Sequence, residues 1–163
     1  MAVNKVLTAE EISELVASMQ KHPYLAMVGD TVLGPLASPP GIAKDVATQD
    51  VTLYETGDEA QASFVTRNNV VLTLETRKLD EAVALINAVP KGANAFAANL
   101  KKVITLTPLT SDTTAKAFVF PNAYLQPGLE GSLGENSTPS TITLPFTCKA
   151  DPATGLPFTF AAS

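Results

Sequence analysis

The stretch that most constrains this chain starts at Thr141 and reads TITLPFTCKADPATGLPFTF. Alternate side chains of an extended chain share a face, so Ile142, Leu144, Phe146 and Cys148 line one side. Beyond a turn signal at Asp151 to Gly155, Leu156, Phe158 and Phe160 line another. Two apolar-faced strands around a turn predict a terminal β-hairpin. Pro145 and Pro157 have the opposite parity and neither can donate to a ladder, which predicts strands at a sheet edge, blunted there against pairing with another chain. The remaining edge stays available to a neighbouring subunit. The whole last third, residues 115–160, alternates such strands with Gly, Pro and Ser-rich breaks and carries no catalytic cluster. It reads as a β-structured building block and not an enzyme.

Upstream, the chain opens with a helix signal. Thr8 and Glu11 form a capping-box pattern, Leu7 and Ile12 are spaced as a hydrophobic staple, and Ile12, Leu15, Val16 and Met19 make one stripe. The helix is expected to end near His22, before Pro23. So narrow a stripe either rests on the body of its own domain, the simpler expectation, or docks on a neighbour. Tyr24 to Pro40 then reads as short strands around Gly29-Asp30, followed by a Pro-Pro-Gly loop. Strands are expected at Val51 to Glu55, Gln61 to Thr66 and Asn69 to Thr76, the first two flanking a polar turn at Thr56 to Glu59. A second helix is expected from Lys78 to Val89, where Leu79, Ala82, Val83, Ile86 and Val89 recur at helical spacing before Pro90 and Gly92. Residues 93–100 read as an Ala and Asn-rich turn with a short helix. Strands resume at Lys102 to Thr107 and Ala115 to Leu125, with Phe118, Phe120 and Tyr124 in register.

About eight short strands and two helices predict a mainly β fold: an antiparallel β-sandwich or small barrel with a flanking α-helix and an additional N-terminal helix. Residues 1–23 form the helical segment and 24–163 a single β-sandwich domain. At 163 residues, 45% hydrophobic and 17% charged, the chain is long and apolar enough for one real core. Its sixteen acids outnumber eleven bases, for a net charge of -5, which opposes a surface that grips nucleic-acid phosphates. The N-terminus has no signal-peptide pattern and no segment approaches transmembrane length, so folding in a cytoplasm is expected.

Catalytic and metal chemistry find little to work with. His22, the single histidine, stands at the expected helix end, where the dipole is its natural partner. With one cysteine and one histidine the usual zinc spacings are missing, and no calcium-loop pattern occurs. Cys148, on the apolar face of its strand, reads as a buried structural thiol. The glycines of GLEGSLG (Gly128, Gly131, Gly134) lack the Lys-Ser/Thr of a phosphate loop and read as a flexible surface loop. Glu55, Asp58 and Glu59 stand at a hairpin tip, where a solvated turn or a charged contact with another subunit fits better than a cation site. The connection Gln126 to Ser140 is long for a compact domain and therefore available to a partner.

Three blocks of this sequence together carry a resemblance: VGDTVLGPLA, read as a strand pair; NNVVLTLETRKLDEAVALINAVP, a strand running into an amphipathic helix; and the closing TITLPFTCKADPATGLPFTF. They cover about Ala26 to Phe160 and resemble the tail tube (major tail) proteins of long-tailed bacteriophages, related in fold to type VI secretion tube proteins. The resemblance implies a β-sandwich with a flanking helix, six copies to a ring, and rings stacked into a hollow tube for DNA passage. It also implies a place in the virion tail, assembly in the bacterial host cytoplasm, and sheath, tape measure, baseplate and terminator proteins as partners, with no cofactor. The capped N-terminal helix departs from the family, many of whose members begin in a strand or extended arm. An acidic balance suits a lumen that DNA crosses without sticking. Under this reading the subunit contacts fall on Thr56, Gly57, Asp58 and Glu59, and on Gln126, Gly128, Glu130, Gly131, Gly134 and Glu135. The alternative is a virion decoration or attachment protein, or a β-sandwich binding module, recognising a capsid or glycan surface without self-assembly.

Overall fold

Alternating apolar side chains do set the frame of this protein, but not always with the partners their order suggests. The computed structural model describes residues 6–18, 23–52, 57, 60–111 and 115–162. In chain order these form α1 (Ala9–Ser18), β1 (Tyr24–Val28), β2 (Thr31–Pro35), β3 (Gly41–Thr52), β4 (Ala60–Thr76), α2 (Leu79–Asn87), β5 (Lys102–Pro108), β6 (Lys116–Leu125), β7 (Glu130–Ser132), β8 (Thr141–Cys148) and β9 (Thr159–Ala162). The architecture is mainly β with a flanking helix, as the strand signals imply.

All strands belong to one sheet in the order β2-β1-β5-β6-β8-β4-β3, with β7 added to β8 and β9 to β6. Every pairing is antiparallel. The sheet does not close into a barrel. It does curl far enough for the chain just after β2 to reach β4, where the Ala37 N–H donates to the Glu75 carbonyl at 2.8 Å. The buried Thr76 hydroxyl reinforces this seam by donating to the Leu33 carbonyl (3.2 Å) and accepting from the Lys78 N–H (3.1 Å). Curling wraps the apolar face inward. Ala26, Val28, Leu72, Leu74, Ile104, Leu106, Phe120, Leu144 and Phe146 join one core, and α2 covers it with buried Ala82 and partly buried Leu85 and Ile86.

Residues 141–148 behave as their alternation dictates, with Ile142, Leu144, Phe146 and Cys148 all buried. The terminal hairpin, however, does not form. β8 pairs with β4 and β6, while β9 pairs with β6, placing Phe160 opposite Phe118. The Asp151–Gly155 turn is real, closed by the Gly155 N–H donating to the Asp151 carbonyl at 2.7 Å and the Asp151 N–H donating to the Leu156 carbonyl at 3.0 Å. It carries the chain across the sheet end to β6 instead of back along β8. Neither proline marks an edge as expected: Pro157 is fully buried, and Pro145 lies within a strand paired on both sides. Proline is tolerated there because its nitrogen faces the interval between β6, which ends at Leu125, and β7, which starts at Glu130. Its carbonyl, on the same side of the strand, accepts from the Gln126 N–H at 2.9 Å.

Three further expectations need correction. The strands expected at Gln61 to Thr66 and Asn69 to Thr76 are one continuous 17-residue β4. The segment after the Pro-Pro-Gly loop is already strand, since β3 starts at Gly41; it includes Val51 and Thr52, while residues 53–56 lie outside the described set. Tyr124 does not share the face of Phe118 and Phe120, because the register slips opposite Lys102–Ile104 and burial changes parity to Ala123 and Leu125. The short helix in 93–100 is a single 3-10 turn at Ala98–Leu100. The capping box of α1 is present in full: Glu11 accepts from the Thr8 N–H at 2.9 Å and Thr8 from the Glu11 N–H at 3.2 Å. His22 lies outside the described residues.

Candidate assembly interface

The two segments singled out for subunit contacts sit at opposite ends of β4. Gly57 lies in the connection between β3 and β4 with φ 72, the left-handed region that glycine enters freely; Thr56, Asp58 and Glu59, like Glu55, lie outside the described residues. Gln126 to Ser140 instead lies against β8, whose first residues face the Thr76 end of β4. A 17-residue strand has a contour length on the order of 50 Å at about 3.3 Å per residue. The segments therefore form no single site.

The second segment is not the flexible loop that its glycines suggest. Glu130, Gly131 and Ser132 make β7, and a tight turn at Glu135–Thr138 follows, with Asn136 at φ 56. A Cβ on Gly131 would collide with the Thr141 carbonyl, and one on Gly134 with the Thr138 carbonyl. Glycine here permits close backbone packing, not motion. The Gly134 N–H donates to Ser140 Oγ at 2.7 Å, and Gln126 Nε2 to Thr147 Oγ1 at 3.1 Å. Gly128 turns at φ 121 with nothing against it. Glu130 and Glu135 are exposed, and Leu133 beside the turn is 93% exposed.

The largest feature hidden from sequence reasoning is the outer half of the β3–β4 pair. Only residues 70–76 of β4 pair with β8; residues 60–69 pair with β3 alone and form a two-stranded ribbon. Its base is pinned by Asn68 Nδ2 donating to the Gly155 carbonyl (3.0 Å) and by the Ala150 N–H donating to Asn69 Oδ1 (3.1 Å). Arg67 and Asp45 pair across it at 2.9 Å. Phe64 and Val65 are 61% and 62% exposed, on opposite faces near its outer part. Two strands without a third layer are marginal in water, and this ribbon leaves two large apolar side chains exposed.

Chemistry is sparse elsewhere. Cys148 is buried, and desolvation pushes its thiol from 9.0 up to about 12, opposed weakly by a backbone hydrogen bond from Leu72. A thiol so placed is kept protonated and unreactive. Among the described residues no three His, Cys, Asp or Glu side chains gather closely enough to hold a metal ion, and no helix is long and apolar enough to cross a membrane.

No family model matches this sequence, and no curated protein matches it. Solved structures do. A chain of the tube-terminating cap of the anti-feeding prophage superposes with a TM-score of 0.54, covering 100% of this chain and 95% of the other at 13% identity. A chain of the sheath–tube complex of an extracellular contractile injection system (PVC) in its extended state gives a TM-score of 0.57, covering 97% and 100% at 13% identity. This protein has their fold. The likeness spans both chains almost entirely.

Proposed function

We propose that this chain is a non-enzymatic structural subunit that assembles with its own copies into rings, six to a ring, stacked as the tube of a phage tail or tail-like injection machine. The observation that carries the reading is the full-length likeness to chains of a tube-terminating cap and a sheath–tube complex. The placement of exposed surface agrees with it. A ribbon at one end of β4 and an ordered turn at the other give each copy two different faces, the requirement for head-to-tail contacts that close into rings or extend into filaments. The net charge of -5 suits a wall past which DNA slides without being held. In this role the partners are further copies and the sheath, tape measure, baseplate and terminator components of the same particle.

Negative-stain micrographs of the purified full chain, with its sedimentation at high concentration, test this reading. Rings stacked into tubes are the expected result. Rings that never stack would assign the chain to the cap position instead, and a strictly monomeric protein would overturn self-assembly altogether.

A further inference from the structure

Charge is sorted along this chain. Residues 82–111 contain Lys91, Lys101 and Lys102 and no acid, whereas residues 117–148 contain Glu130 and Glu135 and no base. The fold gathers the first group beside a pair of aromatic rings. Lys102 pairs with Ala123 on β6, which pairs with Cys148 at the end of β8, so Lys101 and Lys149 flank one register row about 10 Å wide, two strand spacings. Between them lies Tyr124, next after Ala123. Lys149 Nζ stands 3.9 Å from the Phe96 ring centroid and 5.6 Å from that of Tyr124. The two rings meet edge to face, 5.5 Å between centroids and 77° between planes, so this patch is shaped before anything binds. Phe96 remains 46% exposed, and Lys101 is exposed as well. Lys102 leans away, its Cδ beside Gly29 in the turn that holds Asp30. The acid nearest Lys149 in sequence, Asp151, is engaged by its own turn, its Oδ1 accepting from the Ala153 N–H at 2.9 Å.

The second group projects. β7 and the 135–138 turn form an ordered hook with Glu130 and Glu135 exposed on it and Leu133, 93% exposed, between them. A lone exposed leucine is ordinary on a protein surface. What selects an occupant is the match: an apolar side chain between two acids on the hook, aromatic rings between two bases on the patch. Among the described residues none of Lys101, Lys149, Glu130 and Glu135 takes part in an ion pair. Nor can the hook reach the patch of its own chain. Ser132 pairs with Thr141 and Tyr124 with Thr147, positions on β8 roughly 20 Å apart, and close backbone packing at Gly131 and Gly134 fixes the hook where it stands.

We propose that the basic aromatic patch receives the hook of a neighbouring copy, Leu133 against the Phe96 and Tyr124 rings, with Glu130 and Glu135 along Lys101 and Lys149. The inference rests on the self-assembly reading and supplies one of its contacts. Patch and hook are different surfaces of one chain, so each copy gives one hook and receives one, a heterologous contact that repeats from copy to copy. Opposite charges steer the encounter and fix its register, and like charges in the same places oppose it. One apolar side chain and two ion pairs cover less surface than an isolated pair of subunits needs, so the contact persists where an assembly repeats it.

Charge exchange between full-length variants tests this. Glu130→Lys/Glu135→Lys sets a basic hook against the basic patch, and Lys101→Glu/Lys149→Glu an acidic patch against the acidic hook. Each alone is expected to give roughly tenfold fewer assembled particles than the parent in low-salt micrographs, whereas an equimolar mixture, in which every hook finds an opposite patch, returns to the parent level. Lys101→Glu, which leaves the contact of Lys149 with the rings intact, takes the place of the double patch variant where thermal melts show that variant unfolding early; a recovery of about threefold on mixing is then expected. Hook variants that assemble like the parent, or folded variants that stay unassembled when mixed, would overturn the contact while leaving self-assembly standing. A parent chain that forms no assembly would remove the self-assembly reading and this contact with it.

Discussion

One strand, β4, lives in two environments. Its last seven residues pair with β8 on one side, and residues 70–73 also with β3 on the other, with Val70, Leu72, Leu74 and Thr76 buried in alternation; its outer part, paired only with β3, keeps Phe64 and Val65 in solvent. Backbone pairing is continuous throughout, apart from register slips at Ala47/Thr48 and Val51/Thr52. What differs is the side-chain layer. The inner part shares the buried apolar core, and its energetics follow area removed from water. The outer part gains little from its own fold, and its apolar groups acquire value only against another surface.

Substitutions in the two halves should therefore separate stability from assembly. Phe146→Ala, which empties a fully buried site opposite Leu72, is expected to cost about 3–5 kcal/mol and to abolish assembly only through unfolding, measured by urea denaturation. Alkaline pH should act on the same core through Cys148. Its thiol is protonated in the fold up to about 12, whereas the unfolded chain releases the proton near 9.0, so the unfolded state binds fewer protons between those values. Stability is full below pH 9 and falls by roughly 1.4 kcal/mol per pH unit above it, a slope that Cys148→Ala should remove in pH-dependent melts. The smallest effect on stability belongs to Phe64→Ala, expected within about 0.5 kcal/mol of the parent. The same change should nevertheless suppress ring or tube formation in micrographs. If Phe64→Ala instead destabilised like Phe146→Ala, the contrast between the halves would collapse.

The inner half was the legible half. Ile142, Leu144, Phe146 and Cys148 announce their face because a half-buried strand must alternate, and Thr8 with Glu11 announces a helix start because its free N–H groups need acceptors. Partners are another matter. The alternation of Phe158 and Phe160 is satisfied equally by β8 or β6, and only packing against Phe118 decides for β6. β3 was hidden upstream of Val51 because a ribbon wet on both faces needs no apolar alternation, and Lys44 and Asp45 interrupt any apolar run there. Of the candidate contacts, the turn segments were visible as breaks in pattern, but their separation along β4 was not. The basic aromatic patch was harder still, since Phe96, Lys101, Tyr124 and Lys149 come from three segments that only the pairing of β5, β6 and β8 brings together.

Pro145 has a consequence beyond its tolerated place. Between β6 and β7, strand β8 presents an acceptor without a donor, so neither neighbour can lengthen across that point and keep a full set of bonds. The residue works as a stop peg on a rail: it sets how far the 126–140 segment can creep along the rim. The projecting turn at 135–138 is thereby held at one fixed height on the sheet rim.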